Sequence, residues 1–304
     1  ANPKEIHSSD PARQTSGPLI ATAYFYRCAR LMSHYATTLQ KPDDAARYDA
    51  LATQLYKGLN DRFFKPNQGQ YDNGSATSSV LPLAFGMVPQ DQVSRVVEHL
   101  VDTINKTNHG HIPTGLIGCQ WINTVLARNG HPELPYQMAT QTTYPGLGYM
   151  ISQHATTIWE LWNGNTADPA MNSGNHVMLV GDLGKYFYED LAGIRPDPLK
   201  PGFSHVIMSP TPIADLTSAS ATHRCAYGTI GSSWTKKSGV FLWDITIPPN
   251  TTATIFIPAK ASEEVTESGK PAASAAGVHF EAIKDGGAEF TVGSGVYHFA
   301  SHTH

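Results

Sequence analysis

Apolar residues recur at helical spacing through the first two-thirds of the chain and at strand spacing after that. Ala21, Tyr24, Phe25, Cys28, Leu31, Met32, Tyr35 and Leu39 follow the i, i+3, i+4, i+7 rule. Pro18 stands at a favoured helix start. Lys41-Pro42-Asp43 interrupts the pattern, and Asp43 is placed to cap a second helix carrying Ala45, Tyr48, Leu51, Ala52, Leu55, Leu59 and Phe63. The turn-rich run from Lys65 to Gln70 ends it. Val80 to Phe85 is apolar, and Pro89-Gln-Asp91 introduces a helix with Val93, Val96, Val97, Leu100, Val101 and Ile104. Trp121, Ile122, Val125 and Leu126 predict another, stopped by Asn129-Gly130. Tyr136 to Ala139, His154 to Trp162 and His176 to Leu191 complete the helical pattern.

Beyond Gly193 the period shortens. Val206 to Met208, Gly239 to Ile247, Ala253 to Ile257, Gly277 to Phe280, Ala288 to Val292 and Val296 to Phe299 read as strands separated by turn residues, the pattern of an antiparallel sandwich. The expected organisation is a helical domain over 1–194, a proline-rich linker over 195–202 and a β-sandwich over 203–304. The sandwich carries few clustered ionisable groups and reads as structural, with a secondary carbohydrate-binding role the less favoured reading.

With 304 residues, 40% of them hydrophobic and 15% charged, the chain can build one large core or two domains. The 21 Lys+Arg against 25 Asp+Glu leave no basic stripe for nucleic acid, and no apolar run is long enough to span a membrane. A low charge fraction with 10% aromatics suits neutral, hydroxyl-rich ligands. Cys28, Cys119 and Cys225 match neither a zinc pattern nor a disulfide framework. Cys28 and Cys119 fall in apolar helical patterns and are expected to be buried. The compartment stays open. Ser301-His-Thr-His304 is too short to read as a metal site.

The segment richest in chemistry runs from Tyr144 to Trp162. It sets Glu160 between Trp159 and Trp162. Indole faces stack on the C–H face of a sugar ring, and a carboxylate beside such a face is found in enzymes that cleave glycosidic bonds. The competing reading is a helix whose tryptophans are core and whose glutamate is solvated. Trp121, Tyr144 and Tyr149 are further stacking candidates, although aromatics at helical spacing commonly serve as core. Asp72, in Tyr71-Asp-Asn-Gly-Ser75, reads either as a second carboxylate or as an Asx turn.

Ala155-Thr-Thr-Ile-Trp-Glu160, preceded by Tyr144-Pro-Gly-Leu-Gly-Tyr-Met150, resembles the signature of the bacterial α-L-rhamnosidases. Tyr71-Asp-Asn-Gly-Ser75, Pro113-Thr-Gly-Leu-Ile-Gly118, Asn175-His176, Leu191-Ala-Gly-Ile-Arg-Pro-Asp-Pro198 and Pro201-Gly-Phe203 match in the same order. The resemblance implies an inverting glycoside hydrolase with an (α/α)6-barrel. It implies that Glu160 is the base activating water and that His176 helps bind the sugar; a locally satisfied helix-start histidine is the other reading of His176. No cofactor is required, and any metal would be peripheral. Leu147 stands where the family usually has Trp, and Leu161 where it often has Arg, which puts rim contacts in doubt. Asn172-Ser-Gly174 loosens the match around His176.

The family's catalytic acid lies upstream of a Gly-Asp-Trp-Leu motif, and residues 1 to 20 contain no such acidic block. The chain is therefore expected to represent the later half of the barrel followed by the sandwich, partnered by the upstream half or by a second copy. Two other functions stay open: a polysaccharide lyase using Tyr144, His154 and Asn175, against which the lack of a nearby basic cluster counts, and a non-catalytic carbohydrate-binding fragment.

Overall fold

The computed structural model describes residues 15–168, 173–213, 215–284 and 286–302. The opening residues, Asn172 and the last two residues of the C-terminal tail, His304 included, lie outside them. The chain divides into two compact units, one ending at Leu183 and one beginning at Gly184. Among the described residues no helix is long and apolar enough to cross a membrane.

The first unit is helical. Helices α1 (Gly17–Thr38) and α2 (Pro42–Phe63) form a hairpin with a three-residue connection. Small buried residues, Ala23, Ala29 and Ala36 on α1 and Ala52 on α2, belong to the core. Ser33 donates to the Ala45 carbonyl at 3.2 Å, and Arg30 pairs with Asp49 between the helices. Lys41, not Asp43, is the cap position, Pro42 follows it in the first turn, and Asp43 makes no side-chain cap. Its charge instead lies with Asp44 in the first turn, where the helix dipole favours an anion.

α1 buries only part of its circumference. Phe25, Leu31, Met32, Tyr35 and Leu39 are exposed. Cys28, expected in the core, is exposed among them because it falls on the face turned away from α2.

A short hairpin, β1 (Phe64–Lys65) and β2 (Gln70–Tyr71), leads to α3 (Ala76–Ala84) and α4 (Val93–Asp102). α5 (Leu116–Cys119), α6 (Ile122–Arg128), α7 (Glu133–Thr140) and α8 (Leu147–Ser152) follow. Two of the cores that hold these elements are Leu19, Leu59, Phe63, Tyr71, Leu81 and Met87, and Val80, Leu100, Ile104, Ile122, Leu126 and Met138. Full burial of each such side chain contributes about 1.5–3 kcal/mol.

The helix expected from His154 to Trp162 does not form. His154 adopts φ +63°, and the Ala155 amide donates to the Met150 carbonyl at 3.0 Å. That closes α8 with a left-handed C-terminal turn. Residues 157–160 then bond across to 173–176 instead of along a helix. His176 to Leu191 is likewise broken, into a 3-10 turn at Val177–Val180, α9 (Leu183–Tyr186) at the unit boundary, and a π-helical turn at Phe187–Leu191.

The second unit is a pair of sheets. One has the order β10-β9-β13-β7-β6-β5, the other β11-β12-β8-β4-β3. The strands are β3 (Ile194–Pro196), β4 (His205–Met208), β5 (Ser218–Cys225), β6 (Gly228–Lys237), β7 (Val240–Ile247), β8 (Thr252–Pro258), β9 (Thr266–Glu267), β10 (Lys270–Pro271), β11 (Val278–Lys284), β12 (Gly287–Val292) and β13 (Gly295–His302). Inward residues of both sheets share one core, with Trp234, Trp243, Phe241 and Phe299 on one side and Val206, Met208, Ile255 and Phe290 on the other. All pairings are antiparallel except β4 with β8. Between those two the chain crosses to the other sheet for β5, β6 and β7, the long excursion a parallel pair requires. The buried indoles are satisfied: Trp234 Nε1 donates to the Leu191 carbonyl at 2.7 Å, and Trp243 Nε1 to Ser232 Oγ at 2.9 Å.

Candidate active site

The motif segments gather around a small core in the helical unit. Cys119 of α5, Met150 of α8 and Leu179 are buried together, and Leu147, Ala155, Ile158, Trp159 and Trp162 pack against them. Burial pushes the Cys119 thiol up to about 12, with the Thr114 hydroxyl acting in the other direction. It is an inert apolar filler. The Cys119 carbonyl accepts the Asp182 amide at 2.9 Å. Gly181 sits directly over this carbonyl at φ +62°, where a β-carbon would come within 1.8 Å of the oxygen. Only glycine allows that approach.

Glu160 lies on a two-stranded lacing of loops. The Glu160 amide donates to the Ser173 carbonyl at 2.9 Å, and the Ser173 amide donates to Glu160 Oε2 at 2.8 Å. The His176 amide donates to the Ile158 carbonyl at 2.6 Å, and the Thr157 hydroxyl donates to the Gly174 carbonyl. This ladder sets Glu160 and His176, both half-buried, on adjoining segments. Trp159 is half-buried, with its ring against the core and over Gly164. The tryptophans are thus partly core, as one reading of the sequence had it, but on an irregular loop.

Tyr144, joined to Pro145 by a cis peptide, stands edge-on to Tyr149 with ring centroids 5.5 Å apart. The Tyr149 hydroxyl reaches Asn165 Oδ1 at 3.4 Å, and Asn165 donates to Gln153 at 3.2 Å. Tyr144 is thereby tied to the loop that carries Glu160.

Asp72 and Trp121 are engaged by α1. Asp72 Oδ2 accepts the Ser16 amide at 3.1 Å, just ahead of that helix. The Asx turn belongs to the neighbouring Asn73, whose side chain accepts the Ser75 amide at 3.1 Å. Trp121 donates to the Tyr24 hydroxyl at 3.1 Å, stands edge-on to Phe85, and carries the Arg27 guanidinium 4.5 Å above its ring. Of the residues singled out in the sequence, Trp159, Glu160, His176 and Tyr144 are linked through the 144–176 loops, while Asp72 and Trp121 brace α1. Among the described residues no group of three His, Cys, Asp or Glu side chains is placed to hold a metal ion.

Two supports were not foreseen. Ser173 holds Glu160 through its backbone, which no side-chain pattern reveals. Asp182 is buried and accepts the Asn123 and Thr124 amides at 3.2 and 2.8 Å, and Asn123 Nδ2 at 2.9 Å. It caps α6 from a distant part of the sequence.

Comparison with known proteins gives the family of the chain. The bacterial alpha-L-rhamnosidase 6 hairpin glycosidase domain matches residues 2–191, and the bacterial alpha-L-rhamnosidase C-terminal domain matches residues 193–272. An alpha-L-rhamnosidase of Formosa agariphila is 36% identical over 83% of the chain and 27% of its own length. The crystal structure of Streptomyces avermitilis alpha-L-rhamnosidase complexed with L-rhamnose superimposes with a TM-score of 0.86 at 33% identity, over 95% of this chain and 27% of that one. The alpha-L-rhamnosidase from Dictyoglumus thermophilum gives 0.83 at 31% identity, over 92% of this chain and 31% of that one. The chain therefore spans less than a third of the length of these relatives, and it belongs to the bacterial α-L-rhamnosidase family of glycoside hydrolases.

Proposed function

We propose that the protein to which this chain belongs removes terminal α-L-rhamnose from rhamnosides with inversion, and that Glu160 is the general base. The observation that carries this is the Glu160 carboxylate fixed by the Ser173 amide, on the loop pair that also bears Trp159 and His176. A base must be held in register with the water it deprotonates, and a backbone N–H on one carboxylate oxygen leaves the other free to accept a proton. His176, Tyr144 and the exposed part of Trp159 form the sugar-facing surroundings. Inversion places the partner acid about 6.5–9.5 Å away, across a water. We assign that acid to the segment that the family resemblance places upstream of its Gly-Asp-Trp-Leu motif, and Asp72, whose Oδ2 accepts the Ser16 amide just ahead of α1, to bracing that helix.

In the full-length enzyme, Glu160→Gln lowers turnover on natural rhamnosides by about 10²–10⁴-fold with thermal unfolding unchanged. Proton NMR taken during the first turnovers shows β-L-rhamnose as the sugar first released. A near-normal rate in the variant removes Glu160 from the mechanism, and an α-anomer as first product removes inversion.

A further inference from the structure

The sandwich unit contains a cavity of about 300 Å³ that the proposed hydrolysis does not use. It is lined by Lys185, Tyr188, Glu189, Pro196, Phe203 and His223. That volume is at the lower end of small-molecule sites. Three features set it apart from an accidental dent. Phe203 and His223 form a ring pair with centroids 4.4 Å apart. Phe203 holds φ +64°, a left-handed conformation that a bulky residue adopts only when its surroundings enforce it. Tyr188, exposed to 45%, lies in the π-helical turn Phe187–Leu191, an irregularity frequent at functional sites. Two of the sequence motifs that the Glu160 site leaves unused, Leu191–Pro198 and Pro201–Phe203, contribute to the same wall.

We propose that this cavity is a second carbohydrate site, binding a single neutral pyranose residue. The aromatic side chains offer apolar faces to the C–H side of a sugar ring, and the Tyr188 hydroxyl adds a polar tip. Lys185 and Glu189 stand 3.8 Å apart and supply donors and acceptors for ring hydroxyls with no net charge between them. A flat, wholly apolar ligand leaves those two groups without hydrogen bonds, and an anionic sugar finds the lysine charge already matched. The site lies in a different unit from Glu160 and stands independently of that assignment.

The test is titration of the full-length enzyme carrying Glu160→Gln with L-rhamnose, D-glucose and D-glucuronate, read by the imidazole resonances of His223. At least one neutral sugar shifts these resonances saturably. Tyr188→Ala and Lys185→Ala, each at exposed positions, weaken that binding tenfold or more with thermal unfolding unchanged. Either variant suffices if the other fails to fold. Affinity unaltered in the folded variants, silence of His223 toward both neutral sugars, or a response to glucuronate alone overturns the proposal. Because the titrated chain lacks the proposed base, loss of activity and loss of this site are separate results.

Discussion

At the scale of single residues, the geometry around Glu160 depends on a backbone group. Ser173 contributes its amide, while its hydroxyl accepts the Asn175 amide at 3.2 Å. Two substitutions at one position therefore separate the roles. In the full-length enzyme, Ser173→Pro deletes the N–H and leaves the Glu160 carboxylate without its anchor. We expect a fall in kcat of about tenfold or more, the cost of losing a hydrogen bond to a charged group, with KM little changed. Ser173→Ala keeps the amide and stays within about twofold of the parent. Equal rates in the two variants rule out a positioning role for this amide.

At the scale of elements, helix ends and half-buried polar groups set the sensitive points. α1 ends in a left-handed turn at Gln40, φ +56°, with the Lys41 amide on the Ala36 carbonyl at 2.8 Å. A side chain in that conformation costs about 1–2 kcal/mol that glycine avoids. Gln40→Gly is expected to raise stability by about 1 kcal/mol in urea unfolding. On α4, His99 is half-buried, and its Nδ1 has no partner among the described residues. Burial lowers its pKa below the usual value, with nearby Asp102 opposing the shift. Above the unfolded value of 6.5 both states are neutral and nothing is lost. As pH falls through 6.5 toward the lower folded value, only the unfolded chain takes up the proton, so stability declines. His99→Leu should make the fall in melting temperature between pH 7 and pH 5 shallower.

The same scale shows what the sequence disclosed. α1, α2 and α4 carry long amphipathic patterns and appear where periodicity puts them. β7, β8, β12 and β13 alternate cleanly and do likewise. β5 and β6 were missed because Ser218–Cys225 and much of Gly228–Lys237 use Ser, Thr, Ala and Gly at both inward and outward positions. Hydrophobic alternation is therefore faint until Ile230 and Trp234 are seen buried. The segment around Glu160 was misread as helix for the opposite reason. Its apolar residues sit at helical spacing, but long-range backbone bonds to 173–176 override the local pattern. The motif residues themselves were legible; the division between those tied to the 144–176 loops and those bracing α1 was not, because it depends on contacts across more than fifty residues.

At the scale of the whole molecule, the exposed side of α1 matters most. A row of large apolar side chains on one helix face favours association in water. We infer that, where the chain forms part of a protein as long as the Formosa and Streptomyces relatives, of which it spans about a quarter, helices from outside it cover this face. Alone, the chain should self-associate at micromolar concentration. Phe25→Lys combined with Tyr35→Lys should restore a monomer in analytical ultracentrifugation. A monomeric parent would contradict the idea that this face needs a cover.

The row also constrains the angle of any helix that packs on it. Ala21, Phe25, Cys28, Met32, Tyr35 and Leu39 advance by steps of four, three, four, three and four. Such a seam stays on one side of a helix only if the two axes run nearly alongside, crossing at roughly +20°, because the steeper −50° packing meets along rows four residues apart throughout. A covering helix that matches this seam must accordingly lie lengthwise along α1 for some three heptads, so shortening it by a turn would remove contacts at one end and leave the rest in register.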